Sequence, residues 1–168
     1  YQGRCRAQQA WQIDGVRFRF LHPDAALADD PLEKRNDRSC VLRIDSAHGS
    51  ALLLADIERR AEARLIAAAE STAADLKTDV LLVPHHGSKT SSTEEFIDAV
   101  RPRWALLQHG YRNRYGHPAA VVVQRYAARD IRMLDSPHCG AMHWRSDAPQ
   151  QVLCQRETDK RYWRFADP

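Results

Sequence analysis

Two adjacent imidazoles stand where a buried strand should end. In DVLLVPHHGSKTSSTEEF (79–96), five strand-like residues run into Pro84, His85, His86, Gly87 and Ser88. Upstream, Asp56 closes the apolar run ALLLAD in the same manner. A carboxylate and neutral imidazoles at neighbouring strand ends form a site of borderline hardness, suited to zinc or manganese. Ser88 offers a hydroxyl or backbone N–H to a phosphate oxygen, and Asn113 and Arg114, in QHGYRNRYGHP (108–118), are phosphate-competent groups after the next strand. Each feature has a plainer reading. Asp56 alone suits the N-cap of the helix that comes after it, and a loop held by imidazole-to-backbone hydrogen bonds accounts for one histidine, though hardly for two.

The elements that would position these residues alternate strand and helix. QQAWQIDGVRFRFLHP (8–23) reads as a hairpin about Asp14-Gly15, a dipeptide suited to a tight turn. DAALADDPLEKRNDRS (24–39) has no period and is expected to be a long loop. CVLRI and ALLLAD pair around His48-Gly49-Ser50, and IERRAEARLIAAAE, rich in strong helix formers, comes next. DVLLV is a continuous apolar run, as for a strand covered on both faces. SSTEEFIDAV is expected to be a helix capped by Ser91 or Ser92, with Glu94 or Glu95 completing a capping box. RWALLQ is the next strand, and HPAAVVVQRYAARD a helix opened by Pro118 at its first turn. IRMLD, GAMHWRS and QQVLCQ close the chain with short strands. The result is a mixed α/β layer architecture, a sheet with flanking helices. Such sheets gather their chemistry at the carboxyl ends of strands. That rule alone brings Asp56, the histidine pair and the 108–118 loop to one rim.

At 168 residues the chain is expected to form a single domain, 1–168, with 43% hydrophobic and 28% charged residues. No apolar run approaches the roughly 18–20 residues that span a bilayer. The first residues lack the apolar centre of a signal peptide, so the stretch is expected to be a soluble unit. A formal charge of +3 says little about partners, but Arg101 with Arg103, Arg112 with Arg114, and the Arg156–Arg164 segment form basic patches able to attract a polyanion. Cys5, Cys40, Cys139 and Cys154 lack metal-knuckle spacing. Buried thiols or disulfides both remain open. His22, His48, His138 and His143 read as loop, hairpin-tip or surface residues. Trp11, Phe18, Phe20, Phe96, Trp104 and Trp144 read as core, and RYWRF (161–165) as a packing tail.

Taken together, ALLLADIE, DVLLVPHHGSKTSSTEEFIDAVRPRWAL and YRNRYGHP, with WQIDGVRFRFLHP and NDRSCVLRI, resemble the metallo-β-lactamase-like domain of the ComEC/Rec2 family of DNA-uptake proteins. The resemblance covers nearly the whole chain, and HHGS alone recurs in other hydrolases of that superfamily. It implies a metallo-β-lactamase-like layered fold, of which this chain holds the second half of an αββα sandwich. It implies two divalent ions, Zn or Mn, in an intact site. Asp56 matches the bridging carboxylate and His86 the late histidine ligand, with His85 its neighbour or outer partner. His117 would contact phosphate or donate a proton, and Asn36 and Ser39 would anchor a loop. The family's HxHxDH block is absent from these 168 residues, and Ala55 stands where the family usually has glycine. Two donors cannot fix a dinuclear centre, because a catalytic zinc takes three protein ligands. The stretch alone is expected to be inactive or nearly so.

For function, the resemblance implies a metal-dependent phosphodiesterase domain of a DNA-uptake channel protein of the cytoplasmic membrane, on its outer side. Its partners would be DNA, single-stranded or the strand not transported, the protein's own transmembrane channel domain and other competence proteins. Two alternatives compete: a nucleic-acid-binding or structural module without catalysis, and a small-molecule hydrolase of the superfamily, since fold-level kinship transfers function poorly.

Overall fold

The computed structural model describes residues 4–30 and 32–159. The RYWRF segment and most of the C-terminal basic patch therefore lie outside the described residues. The hairpin forms as read, with β1 (Ala10–Ile13) and β2 (Val16–His22) antiparallel about Asp14-Gly15. The 24–39 stretch is not structureless. It holds a five-residue helix, α1 (Ala25–Asp29), capped by the Asp24 carboxylate on the Leu27 N–H, and a 3₁₀ turn at Asn36–Arg38. Elements this short show no period, so the sequence offered only turn residues to read.

β3 (Val41–Asp45) pairs antiparallel with β2 and with β4 (Ser50–Leu53). From β4 onward, β5 (Val80–Leu82), β6 (Trp104–Leu107) and β7 (Arg132–Asp135) are each parallel to the strand before. Seven strands thus form one sheet in chain order. α2 (Arg59–Thr72), α3 (Glu94–Val100) and α4 (Ala120–Ala127) are the crossovers that parallel pairing requires. Short α5 (Ser136–Cys139), β8 (Met142–Trp144), β9 (Val152–Cys154) and α6 (Gln155–Thr158) complete the described chain, β8 and β9 as a separate antiparallel pair.

Alternation along the parallel strands divides the core. Leu52, Leu81, Ala105 and Leu107 meet Leu65 of α2, Phe96, Ile97 and Val100 of α3, and Val122 and Tyr126 of α4. Ala51, Val80, Trp104 and Leu106 face the other way and are covered by Met142, Trp144 and Val152. Both faces of the central strands are therefore apolar, as the unbroken run DVLLV implies. Each fully buried Leu or Phe contributes about 1.5–3 kcal/mol by leaving water. Trp11 departs from its expected core role. At 40% exposure it stacks on Phe18 at 5.3 Å between ring centroids, outside the helix-covered region.

Two helix starts differ from expectation. Neither Ser91 nor Ser92 caps α3. Glu62 reaches across from α2, and its carboxylate accepts the N–H groups of Ser92 and Thr93 (2.9 Å for Thr93). Burial holds the Glu62 carboxyl above its usual range, opposed by these donors and by Arg125. Pro118 stands outside α4, one residue before the Ala119 cap, because Ala119 N–H is committed to the Gly87 carbonyl at 2.9 Å. The four cysteines, left open by the sequence, form the disulfides Cys5–Cys40 and Cys139–Cys154.

Replacing Glu62 with Ala strips two N–H groups of a charged acceptor, and we expect a loss of about 2–3 kcal/mol by urea denaturation. An unchanged midpoint would show that the cap contributes nothing. Bridging 35 and 15 positions, the two disulfides should each add roughly 3–4 kcal/mol on the chain-entropy account. Dithiothreitol should lower the urea midpoint accordingly, and no shift on full reduction would contradict it.

Candidate metal and phosphate site

The parallel register sets the site. β4, β5, β6 and β7 point the same way, so their carboxyl ends share one edge of the sheet. Asp56 comes after β4, His85 and His86 after β5, the 108–117 loop after β6, and Ser136 after β7. The first two ends are tied directly: His85 N–H donates to the Ala55 carbonyl at 2.9 Å. Three non-glycine residues there are left-handed, Ala55 (φ 45°), His85 (φ 49°) and His86 (φ 54°). Such conformations cost of order 1–3 kcal/mol each and gather at functional sites.

Asp56 does not cap α2. The cap position belongs to Glu58, which makes no side-chain cap bond, and the Asp56 carboxylate accepts no hydrogen bond among the described residues. Its neighbour is His86, with Nε2 3.6 Å from Asp56 Oδ1. His86 Nδ1 lies 2.7 Å from the Gln108 carbonyl. A carbonyl only accepts, so Nδ1 carries a proton, and Nε2 is the ring nitrogen left facing the carboxylate. This is the orientation that backbone partners impose on metal-binding histidines. Two donors sharing a cation through bonds of ~2.0–2.2 Å sit about 3.3–3.8 Å apart, and this pair lies in that window. A divalent cation fits the pair as far as two donors can hold one. Among the described residues, no group of three or more His, Cys, Asp or Glu is placed to complete the set.

His85 is employed differently from His86. Its Nδ1 faces Glu58 Oε1 (3.6 Å) and Thr90 Oγ1 (3.4 Å), and its Nε2 faces Asn36 Nδ2 (3.4 Å). It links the 3₁₀ turn, the start of α2 and the β5 loop. Ser88 is buried, its N–H donating to His85 O and its hydroxyl meeting Thr90, so it shapes the loop and presents no hydroxyl at the rim. Asn113 is likewise occupied: its amide N–H groups serve the carbonyls of Gly110 and His117, and its oxygen accepts from Tyr115 and His117. Arg114 stays exposed, its guanidinium 4.9 Å above the Tyr115 ring.

His117 closes a cleft of about 490 Å³ lined by His86, Gln108, His109, Gly110, Asn113, Tyr115 and Ser136. Its Nδ1 is buried without a partner. Burial, then the nearby imidazoles of His85, His86 and His109, hold its pKa below the usual value, so a proton-donor role is disfavoured relative to accepting or ligating. His109 was missed as an individual residue. Its Nε2 is also buried without a hydrogen bond, 3.7 Å from Asp135 Oδ2, while Ser136 Oγ brackets its backbone at both N–H and carbonyl. Its place directly after β6 was the available signal. Asp135, closing IRMLD, carried the same signal as Asp56, and Glu58 and Ser136 carried none.

Comparison with known proteins supplies the kinship. No protein-family profile matches the chain. It is 37% identical over 145 residues to competence protein ComA of Neisseria gonorrhoeae, 36% over 134 to ComE operon protein 3 of Bacillus subtilis, and 34% over 128 to recombination protein 2 of Haemophilus influenzae. These alignments take in 86%, 80% and 74% of the chain. The chain belongs to the ComEC/Rec2 family of competence proteins. It spans only 20%, 16% and 15% of those relatives' lengths. The mixed sheet with flanking helices agrees with the family's metallo-β-lactamase-like layered fold. No helix among the described residues is long and apolar enough to cross a membrane.

Gly87 holds the rim together at a point where a side chain cannot fit. Its φ is +76°, and a Cβ there would lie 2.9 Å from Pro118 Cβ and 3.2 Å from Pro118 Cα. Gly87→Ala should cost about 1–3 kcal/mol in urea unfolding. Stability equal to the parent's would mean that the two loops are not packed as described.

Proposed function

We propose that this chain is the metal-binding rim of a metal-dependent phosphodiesterase within a DNA-uptake protein. The observation that carries the reading is the Asp56–His86 pair, 3.6 Å apart with the imidazole tautomer set by Gln108. Asp56 and His86 would hold a divalent cation, zinc or manganese, with further donors from outside these 168 residues. Such a cation supplies a nucleophile at neutral pH and offsets phosphate charge. The chain's own groups then act on substrate. His117 lines and orients the phosphate side of the cleft, and the exposed Arg112 and Arg114 attract the backbone without regard to sequence. Two disulfides support a position on the oxidising, outer side of the cytoplasmic membrane. DNA, the remainder of the polypeptide as a channel and other competence proteins are the partners this reading names.

The incomplete donor set favours one second reading, a DNA-binding module without catalysis. One assay separates them. With Mn²⁺ or Zn²⁺, the full-length protein carrying this stretch should release nucleotides from single-stranded DNA. His86→Ala should lower that rate by more than about 100-fold, beyond the 10–100-fold cost of losing an outer partner. A variant that cleaves as fast as its parent would remove His86 from the site, and a parent that binds DNA without releasing nucleotides would favour the binding module.

A further inference from the structure

The turn between Gly110 and His117 is built unlike a solvated loop. Tyr111 and Tyr115 are 57% and 66% exposed, although aromatic rings lose much free energy in water. The four hydrogen bonds of the Asn113 amide pin the turn from within. The Tyr115 ring lies on His117, centroids 5.9 Å apart and planes within 21°. Arg114 covers the Tyr115 ring and donates to its hydroxyl at 2.8 Å, and Arg112 lies 5.2 Å from the Tyr111 centroid. Tyr115 lines the cleft that His86, His109 and His117 share. A pair of exposed aromatics, each with a guanidinium beside it, at the mouth of a cleft lined by His86, His109 and His117 matches one ligand chemistry. Flat π-faces alternating with phosphates meet all of these groups at once.

We propose that the Tyr111–Tyr115 turn is a stacking platform for unpaired nucleotide bases, Tyr115 taking the base next to the phosphate at the Asp56–His86 end of the cleft on the face that Arg114 covers here and leaves when its guanidinium turns to a phosphate, and Tyr111 a neighbouring one. The proposal rests on the nucleic-acid reading of the site and adds to it the residues that touch bases. Because every base offers a π-face, the platform tolerates any sequence. It excludes duplex, whose faces are already stacked. Arg112 and Arg114 serve the phosphates between the bases, so they set salt dependence and the tyrosines do not.

The test measures fluorescence anisotropy of the protein with labelled oligo(dT) and with an abasic strand of equal length, in chelator so that no cleavage occurs. Tyr115→Ala should weaken oligo(dT) binding roughly 10-fold, within the range that one stacked base contributes. Tyr115→Phe should restore the affinity, the abasic strand should bind weakly to parent and Tyr115→Ala alike, and the slope of affinity against salt should not change. Arg114→Ala should lower that slope by about one phosphate contact. Tyr115→Ala and a Tyr111→Ala/Tyr115→Ala variant that melt like the parent yet bind oligo(dT) equally well would overturn the platform while leaving the metal pair untouched. A parent with no affinity for either strand would overturn the nucleic-acid reading with it. Since no metal is present, failure of the cleavage assay does not bear on the outcome.

Discussion

One backbone contact organises this molecule's working edge: the His85 N–H on the carbonyl of Ala55. It joins the chain leaving β4 to the chain leaving β5, and with it come three left-handed non-glycine residues. Left to itself, a chain would relax from these conformations. Parallel pairing of four strands over an apolar layer of Leu52, Leu81, Ala105 and Leu107 keeps the ends in register. The strain is therefore borne by the core. Its product is the convergence of Asp56 and His86, separated by thirty positions in the chain.

Around that pair the rim is crowded. His85, His86, His109 and His117 bring four imidazoles to one edge, and both burial and mutual repulsion oppose charge on His117. Positive charge sits instead on Arg112 and Arg114, outside the cleft and in water. The division suits a polyanion. On the proposed reading, the guanidinium groups would gather the backbone at long range, with the imidazoles lining the cleft behind them. Gly87 and Pro118 pack the two loops on each other beside the cleft.

The alternation of strands and helices was legible because the parallel strands are continuous apolar runs and the helices are long enough to show composition. The rim was legible for a related reason: polar residues directly after such runs mark strand ends. What escaped depends on contacts between distant segments. The N–H groups of Ser92 and Thr93, at the entry to α3, are taken by Glu62, some thirty positions upstream, while the local serines that looked suitable turn elsewhere. Ser88 and Asn113, read as phosphate ligands by type and neighbourhood, spend their hydrogen bonds shaping loops. A sequence states which groups are present, but satisfaction of polar atoms is settled only by the packed chain. The kinship to competence proteins was legible in the order of several blocks, none of which suffices alone.

The claim on which this account turns is that Asp56 and His86 share a cation. Crystals of the protein soaked in Mn²⁺, with anomalous scattering recorded, address it directly. The account predicts a peak within about 2.0–2.3 Å of both His86 Nε2 and an Asp56 carboxylate oxygen. Ordered side chains with manganese bound elsewhere, and no peak between these two, would contradict it.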